Sequence, residues 1–425
     1  MINRFVYSLL LYLAWPLILG YFVKRMVKEP AYRLGFAQRF GLGLPRLVNQ
    51  PVIHFHCASL GEAKAAVALI QTTLANLSEY QVVVTNTTPT GANEIKRVFA
   101  NNVLQLMAPI DMPHITRLFA KRIQPVLSVF IEVELWPNWL ASLDQLGTKI
   151  LIANGRMTKK SQQSYANKSR LFAPLFKQIS WVGAQSTIEA TRLQSLGCQQ
   201  VETTGNMKFD MPLPADLPTK TAELRAYISD KRPIFVAASV HPGEYEQVIS
   251  AFTQVQSKVS NLLLVIIPRH PHRFQQVADY LQAEGIPFVR RSEQQAVLAE
   301  HQIWLADSMG EVMAFYQLAD ITFVGGSLVD VGGHNPLEPA LLAKPILMGE
   351  YVVNCAESVA MLQENSAIVL VKQQSDIITQ LLAWLDNPTQ AKAVGLAAQQ
   401  VVKANSGAVL STFSRINALL SSQGL

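Results

Sequence analysis

Short apolar runs recur along the chain, and each gives way to a polar loop and then to a stretch of helical composition. The runs at residues 52–56, 82–85, 126–131 and 149–153 are rich in Val, Ile and Phe, and two further units begin at 181–186 and 201–205. Runs that are apolar throughout, rather than alternating, predict strands buried on both faces of a parallel sheet with crossover helices covering it. Residues 212–218 hold Pro212, Pro214 and Pro218, too many fixed φ angles and missing N–H donors for regular structure, so they predict a linker. Beyond it the alternation restarts, with runs at 234–238, 262–267, 303–305, 321–324 and 346–349. The pattern predicts an α/β fold of two Rossmann-like domains facing a cleft, the first at 29–211 and the second at 219–425. Residues from about 375 onward read as helical, and the pattern leaves open whether this tail packs back across the linker.

The first 28 residues follow a different rule. Residues 5–23 carry no charge, and as one helix they would span about 28 Å, close to a bilayer core. Arg4 precedes the run, whereas Lys24, Arg25 and Lys28 follow it, a bias that leaves the rest of the chain on the cytoplasmic face. Residues 1–28 therefore predict a membrane-anchor helix with a basic flank. Pro16 and Gly20 leave a helix lying in the interface as the alternative to a spanning one. A basic and aromatic segment at 30–45 reads as a connector apposed to the membrane.

Composition narrows the function classes. With 49% hydrophobic and 16% charged residues among 425, the chain has enough apolar material for two cores and is not disordered. A net charge of +6 suits an acidic membrane surface or an anionic substrate. No basic cluster with interleaved aromatics occurs, so nucleic acid is not expected as a partner. Cys57, Cys198 and Cys355 are few and widely spaced, which gives neither a disulfide framework nor a zinc pattern and suits a reducing compartment.

Candidate chemistry lies where runs end. After the strand 321–324 come Gly325-Gly326 and then Gly332-Gly333-His334-Asn335-Pro336-Leu337-Glu338-Pro339. Strand, glycine loop and helix start form an order that suits a phosphate, since glycine lets backbone N–H groups approach an anion and a helix N-terminus adds positive potential. Asn335 and Glu338 bring an amide and a carboxylate suited to ribose hydroxyls; the alternative is a glycine turn with a capping asparagine. Glu62 falls at a strand end and a helix start, the edge where open α/β sheets handle ligands, although an acidic first-turn residue also suits the helix dipole. Glu132 has the same two readings, and Lys208 is either a functional cation or a solvated loop lysine. His54, His56, His241, His270, His272 and His334 follow no metal-ligand spacing, and no Asp-x-Asp occurs, so no catalytic metal is expected.

Six motifs in order carry a resemblance. Ala58-Ser59-Leu60-Gly61-Glu62, Glu132-Val133-Glu134-Leu135-Trp136-Pro137-Asn138, Gly205-Asn206-Met207-Lys208-Phe209-Asp210, Pro268-Arg269-His270-Pro271, Asp307-Ser308-Met309-Gly310-Glu311 and residues 332–339 together resemble the bacterial 3-deoxy-D-manno-octulosonic acid (Kdo) transferases. The similarity covers nearly the whole chain. It implies a GT-B glycosyltransferase at the cytoplasmic face of the inner membrane that moves Kdo from CMP-Kdo to the lipid A precursor, inverting and without a metal. It also implies that Glu62 is the general base and that Glu132 and Lys208 support the transition state. Pro268, Arg269, Met309, Gly310, Glu311, Asn335, Pro336, Leu337 and Glu338 would hold the nucleotide. One departure is local: relatives often carry Glu in the segment where this chain has Ala37-Gln38-Arg39-Phe40-Gly41, so an acidic role is not expected there. A UDP-sugar enzyme or epimerase sharing the fold, and an inactive membrane-tethered binding module, are the competing classes.

Overall fold

The apolar runs become two seven-stranded parallel sheets. The computed structural model describes residues 3–47 and 49–421, which divide into one unit of Met1–Met211 with Asn405–Leu425 and another of Pro212–Ala404. In the first unit the strands are β1 (Val52–Cys57), β2 (Gln81–Asn86), β3 (Leu104–Met107), β4 (Pro125–Ile131), β5 (Lys149–Gly155), β6 (Trp181–Ala184) and β7 (Val201–Thr203). Their order is β3-β2-β1-β4-β5-β6-β7. The second unit holds β8 (Ile234–Val240), β9 (Leu263–Pro268), β10 (Phe288–Arg290), β11 (Ile303–Leu305), β12 (Ile321–Val324), β13 (Ile346–Gly349) and β14 (Val369–Val371), ordered β10-β11-β9-β8-β12-β13-β14. Chain direction across each sheet reverses once, beside β1 and β4 in the first and beside β8 and β12 in the second. Those are the switch points at which open parallel sheets form ligand crevices outside their carboxyl ends.

The N-terminus corrects the expectation of one long helix. The uncharged run forms α1 (Arg4–Leu13) and α2 (Trp15–Lys28), bent by 58° at Ala14. Pro16 in the first turn of α2 explains the break, because it has no N–H to continue the ladder from α1 and it disfavours helical geometry just before it. Among the described residues no single helix is long and apolar enough to cross a membrane; the bent pair passes that test together by length and composition. The aromatic connector packs on α2, with Trp15 against Phe40 and Phe22 against Phe36 and Phe40. Gln38 accepts the Met107 N–H at 2.9 Å, so it pins this segment to the end of β3.

Each face of the first sheet is covered. On one side Ile53, Phe55, Val84 and Val129 pack under α3 (Leu60–Asn76) and α4 (Pro89–Phe99). On the other Phe130, Ile150 and Ile152 meet Phe119 of α5 (Pro113–Ile123) and Trp139 of α6 (Pro137–Asp144). Full burial of each such side chain contributes about 1.5–3 kcal/mol. His54 and His56 are core residues rather than ligands: Thr85 Oγ1 lies 2.9 Å from both rings, and Trp139 and Phe130 pack around them. Burial pushes the His56 imidazole down to about 3, so it stays neutral.

The tail corrects a domain boundary. The helix Ala408–Ser421, expected within the second domain, belongs to the first unit, where Val409, Ile416 and Leu420 join the core beside α3. Asp210 caps its N-terminus, accepting the N–H groups of Gly407 at 2.5 Å and Val409 at 2.9 Å. The proline segment is also shorter than expected, since Leu217 and Pro218 already form the first turn of the helix Leu217–Tyr227.

Candidate functional site

In the first unit, the carboxyl edge of the sheet gathers three glutamates. Ser59 ends the extended backbone after β1 and caps α3, accepting the Glu62 N–H at 3.2 Å. Glu62 folds back toward the strand end: Ser59 Oγ donates to Oε1 at 2.8 Å and the Ala58 N–H donates to Oε2 at 2.7 Å. The N-cap residue Ser59 is thus also a hydrogen-bond donor to the Glu62 carboxylate. Glu62 is 8% exposed. Burial raises its pKa, the hydrogen bonds from Ser59 and Ala58 oppose that, and negative Glu132 adds to it. A buried, more basic carboxylate with lone pairs still open is equipped to take a proton.

Glu132 follows β4, the strand beside β1, at φ +61°, a left-handed conformation that costs a non-glycine residue about 1 kcal/mol or more. Its N–H is paired with the Ala153 carbonyl of β5 at 2.8 Å, which holds the turn in place. Two residues on, Glu134 accepts from Trp136 Nε1 at 2.9 Å. Its carboxyl is pushed up to about 7, first by burial and then by negative Glu62, with Glu132 contributing. Glu134 belongs to a motif read from the sequence, but only the structure brings its charge within reach of Glu62.

Lys208 is exposed on the 3₁₀ turn Met207–Phe209, which lies against α3. A buried amide network that the sequence reading missed holds that turn. Asn154, at the end of β5 with φ +57°, accepts the Met207 N–H on Oδ1 at 2.9 Å, and its carbonyl accepts Gln185 Nε2 at 3.0 Å. Asn206 Oδ1 in turn accepts the Lys208 N–H at 3.1 Å. An asparagine after an apolar strand was the available signal, since Asn tolerates the left-handed region. Asn154→Ala leaves the Met207 N–H unpaired, so it is expected to lower stability by about 1–3 kcal/mol and to reduce transfer as well. Lys208→Ala should leave thermal unfolding nearly unchanged while impairing transfer. Melting curves and rates for the pair separate a positioning network from a working cation.

The second unit corrects the reading of the glycine loop. Glu244, fully buried after β8, accepts the N–H groups of Gly326 at 2.7 Å, Ser327 at 2.9 Å and Leu328 at 2.9 Å. The Gly333 and His334 N–H groups donate to the carbonyls of Gly326 and Gly325. Donors expected to face an anion are therefore paired within the protein. The following helix, Leu337–Leu341, is five residues long, too short to contribute much of a dipole. Gly325 is required for another reason: a Cβ there would lie 2.5 Å from the Ser239 carbonyl, so only glycine lets β8 and β12 end this close.

Side chains supply the positive potential instead. Arg269 follows β9, its N–H paired with the Val240 carbonyl at the end of β8. His241 Nε2 lies 2.9 Å from His334 Nε2, the two rings stack, and His270 packs edge-on against His241. The His241 imidazole is held below its usual pKa by burial and then by His270, Arg269 and Arg273. Mutual repulsion among these groups would be relieved by an anion. The His241-Pro242-Gly243-Glu244 segment, missed as a site element, has the same signal as the others: polar residues directly after an apolar run.

After β11, Asp307 and Glu311 brace the loop. Asp307 accepts from Arg290 Nε at 2.8 Å and from Ser292, and Glu311 pairs with Arg291 at 3.0 Å and accepts from Ser308 Oγ. Between them Met309 is 63% exposed and Gly310 takes φ +82°, leaving this short stretch of backbone open. Pro268 ends β9. Pro336 and Leu337 are buried, Leu337 donates its N–H to Asn335 Oδ1 at 3.1 Å, and Glu338 lies near enough to Tyr316 to raise that phenol's pKa. Arg269, Met309-Gly310 and the residues after β12 thus follow the carboxyl ends of β9, β11 and β12 in one sheet, as Glu62 and Glu132 follow β1 and β4 in the first unit.

Comparison with known proteins adds an independent line. The family model of 3-deoxy-D-manno-octulosonic-acid transferase (kdotransferase) matches residues 33–211. Over 410 residues the chain is 36% identical to the 3-deoxy-D-manno-octulosonic acid transferase of Haemophilus influenzae, with 96% of each chain covered. The C-terminal CMP-Kdo binding domain of WaaA from Acinetobacter baumannii is 30% identical, covering 44% of this chain and 98% of that one with a TM-score of 0.42. The UDP-GlcNAc 2-epimerase from Neisseria meningitidis covers 86% of this chain and 99% of that one with a TM-score of 0.57; at 13% identity the likeness is of fold alone.

Proposed function

This chain belongs to the 3-deoxy-D-manno-octulosonic-acid transferase family and is a glycosyltransferase of GT-B fold, and from that premise we propose that it transfers Kdo from CMP-Kdo to the lipid A precursor at the cytoplasmic face of the inner membrane, inverting the anomeric centre. The observation that carries this reading is the buried Glu62 carboxylate, held by Ser59 and Ala58 at the β1/β4 switch point. Glu62 takes the proton of an acceptor hydroxyl. The hydroxyl oxygen forms the bond to the anomeric carbon of Kdo, and the bond from that carbon to the phosphate oxygen breaks, its electron pair leaving with CMP. Lys208 offsets negative charge on the donor carboxylate or departing phosphate, and Glu132 steadies positive charge at the anomeric carbon. Arg269 and the surrounding imidazoles receive the phosphate, while Asn335 and Glu338 hold ribose hydroxyls.

The α1–α2 pair, with Phe5, Leu13, Leu17 and Val27 exposed, supports attachment to the bilayer that holds the acceptor. Purified enzyme given lipid A precursor and either CMP-Kdo or UDP-sugars is expected to release CMP and to add the mass of Kdo to the lipid, read by mass spectrometry. Release of UDP without CMP would overturn the donor assignment.

A further inference from the structure

The first unit also has a cavity of about 610 Å³ between α1 and the helices α5 and α6, a size within the range of small-molecule sites, about 300–1,000 Å³. Phe5, Leu9 and Tyr12 line it from α1, and Pro113 and Ala141 from the facing helices. Two cations, Arg4 and Arg117, are in the lining and no carboxylate is. Neither arginine forms an ion pair among the described residues.

The wall formed by α1 is fixed in place. Tyr7 donates to Asp111 Oδ2 at 3.0 Å, Ser8 Oγ donates to Asn138 Oδ1 at 3.0 Å, and the Tyr12 hydroxyl lies 2.8 Å from His114 Nδ1. Asp111 is buried and also accepts the N–H groups of Asn138 and Trp139, and Arg4 lies near enough to oppose the rise in pKa that burial gives it. Away from these contacts, the same helix pair presents exposed Phe5, Leu10, Leu13 and Leu17. A slot that sets Phe5, Leu9, Pro113 and Ala141 beside two arginines and neutral polar groups, with no carboxylate in its lining, and that opens beside a surface of this kind, is complementary to an amphiphile with an anionic head.

We propose that this cavity binds one anionic glycerophospholipid of the bilayer, its phosphodiester on Arg4 and Arg117 and an acyl chain along Phe5, Leu9 and Pro113. A free phosphate would leave the apolar wall uncovered, and a zwitterionic headgroup would find no carboxylate for its ammonium. The inference rests on this cavity alone and is independent of the transfer chemistry.

Native mass spectrometry of the full chain in neutral detergent, with equimolar phosphatidylglycerol and phosphatidylcholine of identical acyl chains, tests it. The chain is expected to retain one phosphatidylglycerol, preferred by about tenfold or more, as a charge-assisted contact gives. Arg4→Gln with Arg117→Gln should erase the preference, and Gln145→Trp, at an exposed lining position, should block retention by filling the slot. Equal retention of the two lipids, or a preference that survives both variants, would overturn the proposal. So would retention of inorganic phosphate alone, or displacement of phosphatidylglycerol by excess lipid A precursor, which would give the cavity to the acceptor.

Discussion

Glu62→Gln is expected to lower the transfer rate by about 10²–10⁴-fold, the contribution of a positioned general base, while the protein folds and binds CMP as before. Glutamine fits the site. Its carbonyl oxygen can accept the Ala58 N–H, and its amide can donate to Ser59 Oγ, whose hydroxyl turns to suit, so the two contacts made by the carboxylate are kept. What is lost is basicity. The pH profile carries the same signature: Glu62 must be ionised to act, and burial with Glu132 nearby raises its pKa, so kcat/KM should fall on acidification at a pH above the usual carboxylate range. The negative charge that raises the pKa of Glu62 is that of Glu132, so Glu132→Gln should lower the pKa of Glu62 and move the acid limb to lower pH. EDTA should leave the unmutated enzyme active. Near-normal turnover of Glu62→Gln would transfer the base role to Glu132, which directly follows β4 at the same switch point.

The second large effect is expected at the nucleotide. With the N–H groups of Gly326, Ser327 and Leu328 all paired to Glu244, that loop offers the phosphate no free donors from these three residues, and Arg269 is the permanent cation beside His241 and His270. A hydrogen bond to a charged group contributes about 1.5–3 kcal/mol, so Arg269→Ala should weaken inhibition by CMP roughly tenfold to over a hundredfold. Glu338→Ala should have an effect of the same order through the ribose, without the dependence on ionic strength that loss of a cation brings. Inhibition constants at two salt concentrations, with circular dichroism to check folding, measure both. Unchanged constants in the two variants would place the nucleotide elsewhere.

Much of this protein was legible in its sequence for a definite reason. Runs such as Val82–Val84 and Leu263–Ile267 are apolar on every position, and a short β-branched segment of that kind is stable where both its faces are covered, as in a parallel sheet between helices. Whatever follows such a strand emerges at its carboxyl edge, so Glu62, Glu132, Arg269 and Gly310 could be placed at that edge before any pairing was known. Pairing is where local pattern stops informing. β1 lies beside β4, and β8 beside β12, across segments of chain that no periodicity spans, and it is this adjacency that brings Glu132 into the field of Glu62 and the Gly326 loop onto Glu244. The stripe Val409, Ile416 and Leu420 announced a buried face without naming its partner, since hydrophobic burial has no direction; Asp210 and the α3 side of the first core decide it. The uncharged run at the N-terminus likewise specified apolar surface and helical length. Its break was written locally in Pro16, whereas the hydrogen bonds of Tyr7 and Ser8 that hold α1 to Asp111 and Asn138 join groups more than a hundred residues apart in sequence and close only in the folded chain.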